Sequence, residues 1–498
     1  MKKRNVYQKI GVKKLQQIKN AFICTVLVVI MVVVMPIPVV SYGGENNKEN
    51  TAVTVSDRKS EDFKVIGYYC GEWFDVPVEK LQSDKLTHIM YGFLIPKEDG
   101  TCKPFEEPEE IKLLIEKCHS TGTKVFVSVG GYREKDGTPL FPVFEKIGAD
   151  DNLRKTFVDS IMAVVQQYGF DGVELDWEYP RYSSSADYEK TVVQLSEKLK
   201  PMGKGLSTAL PGTGSTDGKN VWEALAGVTD KTLSCFDFIS LMCYDLSTDP
   251  NHSPIWYANT TINYWKTYRN IPAEKLVLGM PLYARPSWQQ YRFLVEMNRQ
   301  YAYTDFVDTE PLKSTYNGLN TLREKTMIAM RKAGGVMLFD VNEDTYDDTS
   351  VVSMIDDTLH AMGQLDQEQI NNYIWVVMDN KPLVFNPKDG MGMPFIDENN
   401  RTLVPVRKLL ESIGANVSYS NDAKGKTESV DADLKGTHIK INIGSEKYSV
   451  NDKNLTMDTV AVIKDGRTYI PARAVLEAFG YDMTYSPAGR CVYATSNH

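Results

Sequence analysis

The sequence predicts an α/β protein, a (β/α)8 TIM barrel followed by a smaller α+β domain built from a tandem repeat. Eight short apolar runs are separated by longer amphipathic segments over about 300 residues, which is the pattern of a parallel barrel. A short motif that occurs twice near the C-terminus predicts the second domain. Periodicity alone leaves a doubly wound parallel sheet open as an alternative to the barrel.

The predicted strands are short apolar runs bounded by polar or turn-forming residues. They are Val65–Tyr69, His88–Phe93, Lys124–Val129, Gly172–Glu178, Leu206–Ala209, Phe238–Tyr244, Leu276–Leu282 and Gly335–Phe339. Between them, apolar residues recur with the helical period. The clearest predicted helices are Pro108–Cys118, Asn152–Tyr168, Ala186–Leu199 and Leu319–Ala333.

The N-terminal segment differs in composition from the rest of the chain. Residues 1–20 contain seven Lys or Arg and no acidic residue, and residues 21–40 are almost wholly apolar. This order predicts a secretory signal over residues 1–41, and hence a secreted protein. An uncleaved membrane anchor is the alternative, although Pro36 and Pro38 would interrupt its helix. The polar residues 42–61 predict a linker.

Composition and charge exclude several classes of protein. With 42% hydrophobic and 24% charged residues, the chain is neither mostly disordered nor collagen-like. The formal net charge of −9 provides no basic excess for binding nucleic acid, so we expect a neutral partner held by hydrogen bonds and stacking. The Cys and His residues are scattered without ligand spacing, so neither a metal site nor a cofactor is predicted.

The segment Phe170–Pro180 carries acidic residues at alternate positions. Because side chains alternate along a strand, Glu174, Asp176 and Glu178 share one face, and Trp177 lies on the other. We expect the carboxylates to point into the barrel, where burial and mutual repulsion raise at least one pKa. A proton shared between Asp176 and Glu178 would make Glu178 a competent general acid near neutral pH. A solvated acidic edge strand is the structural alternative.

This segment resembles a motif of the glycoside hydrolase family 18 chitinases. Asp171-x-x-Glu174-x-Asp176-x-Glu178 is similar to their Asp-x-x-Asp-x-Asp-x-Glu motif. Further matches follow in the expected order, and they are Gly67-Tyr68-Tyr69, Tyr91-Gly92-Phe93, Ser128-Val129-Gly130-Gly131, Met242-Cys243-Tyr244-Asp245, Gly279–Arg285 and Gly334–Met337. The resemblance implies a family 18 barrel over residues 62–362.

The resemblance implies a retaining hydrolase without an enzyme nucleophile, in which the acetamido oxygen of the sugar attacks its own anomeric carbon. Glu178 would act as the general acid and base, and Asp176 would orient the acetamido group. Tyr244 would donate a hydrogen bond to that group, and Asp245 would support the distorted sugar. The implied substrate is chitin or another glycan that contains N-acetylglucosamine.

The resemblance also implies two further groups of residues. The substrate-binding residues are Tyr68, Phe93, Glu174, Met242, Tyr283, Arg285 and Phe339. The residues expected to give structural support are Asp171, Ser128, Gly130 and Gly131. Aromatic residues considered for stacking on a sugar further include Tyr69, Tyr132, Tyr179 and Trp256, whereas Trp177 is assigned to packing.

The sequence departs from the family pattern in four places. Glu174 stands where the family usually has Asp, and Phe339 stands where a Trp usually forms the floor beneath the sugar. Tyr132 follows the paired glycines, where Trp is common. The short spacing from Arg285 to Gly334 leaves no room for the α+β insertion that deepens the cleft of some members. We therefore expect a shallower groove, which suits internal cleavage of a polymer.

The C-terminal repeat consists of Arg401–Arg407 (RTLVPVR) and Arg467–Arg473 (RTYIPAR), each followed by a predicted short helix and strand. The two units resemble the copper amine oxidase N-terminal-like, or stalk, domain. This predicts a domain at 373–498 after a linker at 363–372. Only His438 and His498 lie there, too few for a copper site.

Such modules accompany exported bacterial proteins, so we expect the domain to attach the protein to the cell envelope or to a polymer. The arginines of the repeat are expected to hold the fold together through carboxylates such as Glu411 and Glu477. Direct binding of glycan by this domain stays open.

Two functions compete with that of a chitinase. An endo-β-N-acetylglucosaminidase that acts on glycoprotein glycans or peptidoglycan would use the same residues, although the run Trp177–Pro180 favours a chitinase. A non-catalytic chitin-binding lectin would also need the barrel. The intact Glu178 argues against the lectin, because relatives without activity commonly lose that acid.

Overall fold

The computed structural model describes residues 63–497 apart from Asp75, residues 214–224, Ala226 and Thr248. The predicted signal (1–41) and linker (42–61) lie outside the described residues, as does His498. Within the described part of the chain, no helix combines the length and the apolar character needed to cross a membrane.

Eight parallel strands close into a barrel. They are β1 (Lys64–Tyr69), β2 (His88–Leu94), β3 (Lys124–Gly130), β4 (Gly172–Asp176), β5 (Gly205–Pro211), β6 (Phe238–Met242), β7 (Leu276–Pro281) and β10 (Gly335–Phe339). The last strand, β10, pairs with both β1 and β7, so neither end of the sheet is an edge. The predicted barrel is confirmed, and the doubly wound sheet is excluded.

Two of the strands, β4 and β6, end two residues earlier than predicted. The last pair between β3 and β4 is Gly130 with Asp176, and the last pair between β5 and β6 is Pro211 with Met242. Beyond these pairs the chain leaves the barrel wall. Glu178 therefore lies in the loop that follows β4, at the carboxyl end of the barrel, where the sites of such barrels lie.

Helices cover the outside of the barrel. They are α1 (Pro108–Ser120), α2 (Phe141–Ala149), α3 (Asp151–Tyr168), α4 (Ser185–Leu199), α5 (Asp230–Cys235), α6 (Ile255–Asn263), α7 (Tyr291–Met297), α8 (Leu319–Lys332) and α9 (Val351–Met362). The four predicted helices are all present, and their ends differ from the prediction by no more than two residues. A hairpin of β8 (Phe306–Val307) and β9 (Ser314–Thr315) precedes α8.

Apolar side chains pack on both faces of the barrel wall. Phe126 and Met337 belong to the buried cluster in the interior. Trp177 lies in the larger cluster between strands and helices, where its ring stacks on Phe144 with centroids 4.9 Å apart. Tyr188 meets the same indole edge-on at 5.4 Å. Trp177 is therefore a packing residue, as its position on the outer face of β4 indicates.

The chain after the barrel forms three small sheets and three short helices in its described part. The helices are α10 (Gln367–Asn372), α11 (Val406–Ser412) and α12 (Ala472–Ala478). The strands are β11 (Trp375–Met378), β12 (Lys381–Leu383), β13 (Phe395–Ile396), β14 (Thr402–Pro405), β15 (Asn416–Asn421), β16 (Thr427–Leu434), β17 (Thr437–Asn442), β18 (Lys447–Val450), β19 (Lys453–Thr456), β20 (Val462–Lys464), β21 (Arg467–Pro471), β22 (Tyr481–Ser486) and β23 (Cys491–Ser496). Helix α10 occupies part of the predicted linker.

The two copies of the repeat adopt the same order of strand, helix and strand. They are β14–α11–β15 and β21–α12–β22, and β14 pairs with β21 in antiparallel fashion. At the centre of this pairing Val404 lies opposite Ile470, and both side chains are fully buried. Apolar contact therefore holds the two copies together.

The second arginine of each copy of the repeat forms an ion pair within its own helix. Arg407 lies 3.6 Å from Glu411, and Arg473 lies 3.4 Å from Glu477. Both pairs are one helical turn apart on exposed surfaces, where an ion pair contributes about 0–1 kcal/mol. The predicted partners of Arg407 and Arg473 are correct, but these two pairs contribute little to the stability of the fold, because solvent screens them.

Helix α8 connects the barrel to the C-terminal part. The buried Glu324 carboxylate accepts hydrogen bonds from the Ser486 hydroxyl, the Gly489 N–H (2.9 Å) and the Tyr493 hydroxyl (3.1 Å). Two turns further on, the Arg331 guanidinium donates to three backbone carbonyls, including that of Gly489 (2.8 Å). The Glu324 carboxylate and the Arg331 guanidinium have these hydrogen-bond partners only when the barrel and the C-terminal part are in contact.

Candidate active site

A cavity of about 500 Å³ opens at the carboxyl ends of the barrel strands. Its lining residues come from the ends of all eight strands and the loops that follow them. They are Tyr68, Trp73, Phe93, Gly131, Tyr132, Arg133, Asp176, Glu178, Tyr179, Pro211, Met242, Tyr244, Asp245, Tyr283, Arg285, Trp288 and Phe339. The cavity thus brings together the four predicted catalytic residues and six of the seven predicted substrate-binding residues.

The exception is Glu174, which lies beneath the cavity and is fully buried. Its carboxylate accepts hydrogen bonds from the Tyr68 hydroxyl and, at 3.1 Å each, from the hydroxyls of Ser128 and Ser240. Burial raises the pKa of Glu174 to about 7, against the effect of these donors. Glu174 was predicted to contact substrate, but it does not line the cavity, and its oxygens are bonded to side chains of the barrel interior. It holds Tyr68 in the cavity floor.

The glycine pair after β3 brings that strand close to Asp176. A Cβ atom on Gly130, whose φ is +118°, would lie 2.4 Å from the Asp176 carbonyl oxygen. The N–H of Gly131 donates to the same oxygen at 2.8 Å. A side chain on Gly130 would push β3 away from Asp176, and this position agrees with the predicted supporting role of the glycine pair.

Asp171 acts at the opposite end of β4. Its Oδ2 accepts from the Val125 N–H at 2.8 Å and lies 2.8 Å from Nε2 of His119. It therefore ties β3 to β4 at the end of the barrel away from the cavity. Its predicted supporting role agrees with this position.

Asp176 and Glu178 form an acidic pair in the cavity wall. Asp176 is almost completely buried, whereas Glu178 keeps partial contact with solvent. Burial, and then the charges of Glu178 and Glu174, raise the pKa of Asp176 well above its usual range. Burial likewise raises the pKa of Glu178 to about 7, although a hydrogen bond with Tyr179 opposes the shift. The pair can therefore hold a proton near neutral pH.

Asp245, on the other side of the cavity, has a lowered pKa, whereas the pKa values of Asp176 and Glu178 are raised. Its Oδ1 lies 3.5 Å from Nδ1 of the buried His252 and 3.7 Å from the Arg285 guanidinium. Burial opposes ionisation, but the contact with His252 and the charge of Arg285 hold the pKa of Asp245 below its usual range. Asp245 therefore stays ionised under conditions in which Glu178 carries a proton.

Aromatic rings form the floor of the cavity. The Phe339 ring meets Tyr68 edge-on at 5.3 Å and lies nearly parallel to Tyr244 at 6.0 Å. Tyr68 also contacts Phe93 at 6.1 Å, and Phe93 contacts Trp73 at 5.3 Å. The floor is an apolar surface that can stack on a neutral ring.

Comparison with known families identifies the barrel. The family model described as "Glycosyl hydrolases family 18" matches residues 64–344. The chain belongs to this family. A second model, "Copper amine oxidase N-terminal domain", matches residues 390–494 of the same chain.

The family 18 barrel is similar to proteins of animals. An endochitinase of Brugia malayi is 30% identical over 233 residues, which are 40% of this chain and 44% of that protein. "Probable chitinase 10" of Drosophila melanogaster is 26% identical over 260 residues, which are 45% of this chain and 11% of that protein. The match thus spans less than half of the length of each relative.

Solved structures share the fold of this family 18 barrel. The GH18 chitinase ChiB of Flavobacterium johnsoniae superposes with a TM-score of 0.53 at 23% identity, over 61% of this chain and 97% of that chain. A chitinase-like agglutinin of Robinia pseudoacacia gives a TM-score of 0.51 at 17% identity, over 59% of this chain and 98% of that chain. At these identities the likeness shows the fold alone.

The family 18 cavity contains residues that the sequence analysis missed. Trp288 stacks on Tyr283 with ring centroids 5.4 Å apart, and the Arg285 guanidinium lies 3.9 Å from the Trp288 ring. Trp73 and Arg133 also line the cavity. Their only signal in the sequence is that aromatic or basic residues closely follow the strands β1, β3 and β7.

Two aromatic candidates lie elsewhere. Tyr69 points to the outer face of β1, where its hydroxyl donates to the Val76 carbonyl at 2.8 Å. Trp256 donates from Nε1 to Asp249 at 3.0 Å and does not line the cavity. Tyr132 and Tyr179, by contrast, do line it.

Proposed function

We propose that the chain is a chitinase that hydrolyses β-1,4 bonds between N-acetylglucosamine units. The observation that carries the proposal is that Glu178 and Asp176 share a cavity with an aromatic floor, where burial raises the pKa of Glu178 to about 7. A protonated carboxyl group is the acid that a glycosidic oxygen needs in order to leave. Membership of family 18 and the names of the animal relatives support the same activity.

In the proposed first step, Glu178 gives its proton to the glycosidic oxygen while the bond from that oxygen to the anomeric carbon breaks. The acetamido oxygen of the same sugar forms a new bond to that carbon. Asp176 orients the acetamido group, and its Oδ1 has no hydrogen-bond partner among the described residues. Tyr244 lies in the same cavity and donates its hydroxyl proton to the acetamido oxygen.

In the second step, water attacks the anomeric carbon and Glu178 takes up the proton of that water. The bond between the anomeric carbon and the acetamido oxygen breaks, which restores the sugar and the protonated carboxyl group. Asp245 remains ionised throughout and, with Arg285, provides hydrogen-bonding groups for the hydroxyls of the sugar. No residue of the protein forms a bond to the sugar in this scheme.

An endo-β-N-acetylglucosaminidase and a lectin are the competing functions. Product analysis on chitin oligosaccharides, a glycoprotein and peptidoglycan, side by side, separates the three. A chitinase releases short N-acetylglucosamine oligomers from the first substrate alone. Release of glycan from the glycoprotein or peptidoglycan would favour the glucosaminidase, and binding without any product would favour the lectin.

The pH dependence of hydrolysis follows from the state of Glu178. Because the pKa of Glu178 is raised to about 7, the acid is protonated below that pH and loses its proton above it. We expect kcat on a soluble chitin oligosaccharide to fall progressively as the pH rises from about 6 to about 9. The apparent pKa belongs to the pair with Asp176. A kcat that increases over this interval would contradict the assignment of the acid.

Hydrolysis is expected to survive exhaustive chelation. The described residues contain no group of three or more His, Cys, Asp or Glu side chains that could hold a metal ion. The proposed steps need only carboxyl and hydroxyl groups. The measurement is the rate on chitin oligosaccharide before and after dialysis against EDTA. A loss of activity that one added divalent ion restores would show that a metal site exists.

We also propose that the protein is secreted and that its C-terminal domain attaches it to the cell envelope or to polymer. The basic and then apolar residues 1–41 support export, and the second family match supports a separate module. Fractionation of expressing cells into medium, envelope and cytoplasm tests both statements.

A further inference from the structure

A buried lysine lies behind the segment that carries Tyr244 and Asp245. Lys325 of α8 is fully buried, and its ammonium donates to the Ser253 carbonyl (2.6 Å), the Ser253 hydroxyl (2.7 Å) and the Asn317 side-chain oxygen (2.6 Å). An ammonium has three protons, and each has an acceptor here. Lys325 does not line the cavity.

Ser253 closes the segment that runs from Cys243 to Ser253. Its hydroxyl donates to the Cys243 carbonyl at 2.6 Å, so both ends of the segment meet at one side chain. Within the segment, the Leu246 N–H donates to the His252 carbonyl at 3.0 Å. The ammonium of Lys325 therefore binds to a loop whose two ends are joined by a hydrogen bond.

The two cavity residues of this loop depend on its conformation. Tyr244 directly follows Cys243, and Asp245 has a φ of +58°, which a non-glycine residue adopts only when its surroundings hold it there. Nδ1 of His252 lies 3.4 Å from the backbone nitrogen of Asp245 and 3.5 Å from its Oδ1, and His252 immediately precedes Ser253. A displacement of Ser253 would therefore also displace the backbone and the carboxylate of Asp245.

We infer that Lys325 is a positioning residue of the active site, which acts through Ser253 to fix the directions of the Tyr244 hydroxyl and the Asp245 carboxylate. The inference rests on the proposed function, because those two groups are the ones that hold the sugar. The Lys325 ammonium supplies one donor to each of three acceptors at this point. A neutral apolar side chain would leave the Ser253 and Asn317 oxygens buried without a donor.

Helix α8 provides a stable base for this contact. Glu324, next to Lys325, is bonded to the C-terminal part of the chain. The end of the same helix carries Lys332, which donates to the Asn259 side chain at 2.8 Å and is only partly buried. Lys332 is therefore a matched control, because it is a lysine of the same helix with a single side-chain acceptor outside the cavity.

The test compares Lys325→Met with Lys332→Met in the full chain. Methionine keeps most of the lysine stem and removes the donors. We expect Lys325→Met to lower kcat on a chitin tetrasaccharide by about tenfold to a hundredfold, since small misplacements of binding groups have effects of this size. Lys332→Met should change kcat by less than about twofold. Circular dichroism and the unfolding midpoint establish that each variant is folded.

A double-mutant cycle with Tyr244→Phe separates positioning from general loss of stability. If Lys325 acts through the loop, Lys325→Met should cost much less in the Tyr244→Phe background than in the wild type. Additive effects, or a folded Lys325→Met variant with a kcat within about twofold of wild type, would overturn the inference. Should Lys325→Met fail to fold, Ser253→Ala removes the hydroxyl that joins Lys325 to the Cys243 carbonyl, and its effect on kcat and its coupling to Tyr244→Phe are the two tests.

A wild-type chain that binds the tetrasaccharide without hydrolysing it would refute the proposed function but not the inference. The same variants are then compared by their dissociation constants. Weaker binding by about tenfold in Lys325→Met, with Lys332→Met unchanged, would support positioning. Equal binding by both variants would overturn it.

Discussion

Glu178→Gln is expected to lower kcat on chitin oligosaccharides by about 10²- to 10⁴-fold, which is the range that general acid catalysis contributes. The amide has the shape of the carboxyl group but has no acidic proton to give to the leaving oxygen. The aromatic floor and Asp245 are unchanged, so oligosaccharide binding should persist within about threefold, as expected when only the acid is removed. Single-turnover hydrolysis and equilibrium binding measure the two effects separately.

Glu116→Gln provides the control for this substitution. Glu116 lies exposed on α1, so the same chemical change there should leave both kcat and binding unaltered. Hydrolysis by Glu178→Gln within about threefold of the wild-type rate, after repurification to exclude contaminating enzyme, would refute the assignment of the acid.

A chitin oligosaccharide that lacks the acetamido group at the cleavage position is expected to react at least about a hundredfold more slowly, because an intramolecular nucleophile has a very high effective concentration. The physical reason is that the protein offers no replacement nucleophile in the proposed steps. The matched control lacks the acetamido group one sugar further from the cleaved bond and should react at a nearly normal rate. A thiazoline analogue of the cyclised sugar should inhibit strongly, since it resembles the intermediate.

Asp176 is the residue that could contradict this mechanism. It precedes Glu178 by two residues and lies in the same cavity wall, so it could be mistaken for the nucleophile of a two-carboxylate retaining enzyme. Mass spectrometry of the protein after rapid quenching with substrate distinguishes the two. A glycosyl ester on Asp176 would overturn the mechanism in which the acetamido oxygen is the nucleophile. Glu178 would remain the general acid.

The direction of each carboxylate in β4 could be predicted, because the alternation of a strand is a local property. The role of Glu174 could not be predicted. Its donors, Tyr68, Ser128 and Ser240, come from β1, β3 and β6, and only the closed barrel brings these strands around it. The alternation along a strand shows that a residue points inward. Which side chains bind to it depends on residues of three other strands.

The conformations of the loops that line the cavity could not be predicted from the sequence either. Trp288 has a φ of +60° and stacks on Tyr283, and nothing in its neighbouring residues specifies that conformation. Lys325 lies in a helix that the apolar period predicts correctly, yet its acceptors are Asn317 and Ser253, which precedes it by 72 residues. The helix could be predicted from periodicity, whereas the polar contacts depend on how separate segments pack.

The contact between α8 and the C-terminal part also has a consequence for the order in which a newly made chain can complete its fold. The Glu324 carboxylate and the Ser486 hydroxyl that it binds are separated by 162 residues. Domains generally fold as the chain emerges from the ribosome, N-terminal parts first. The barrel can therefore close while Glu324 and Arg331 still face water, beside the apolar Met327, which joins the C-terminal core. Until residues 486–493 have been synthesised, Glu324 lacks the three donors that hold it in the folded protein.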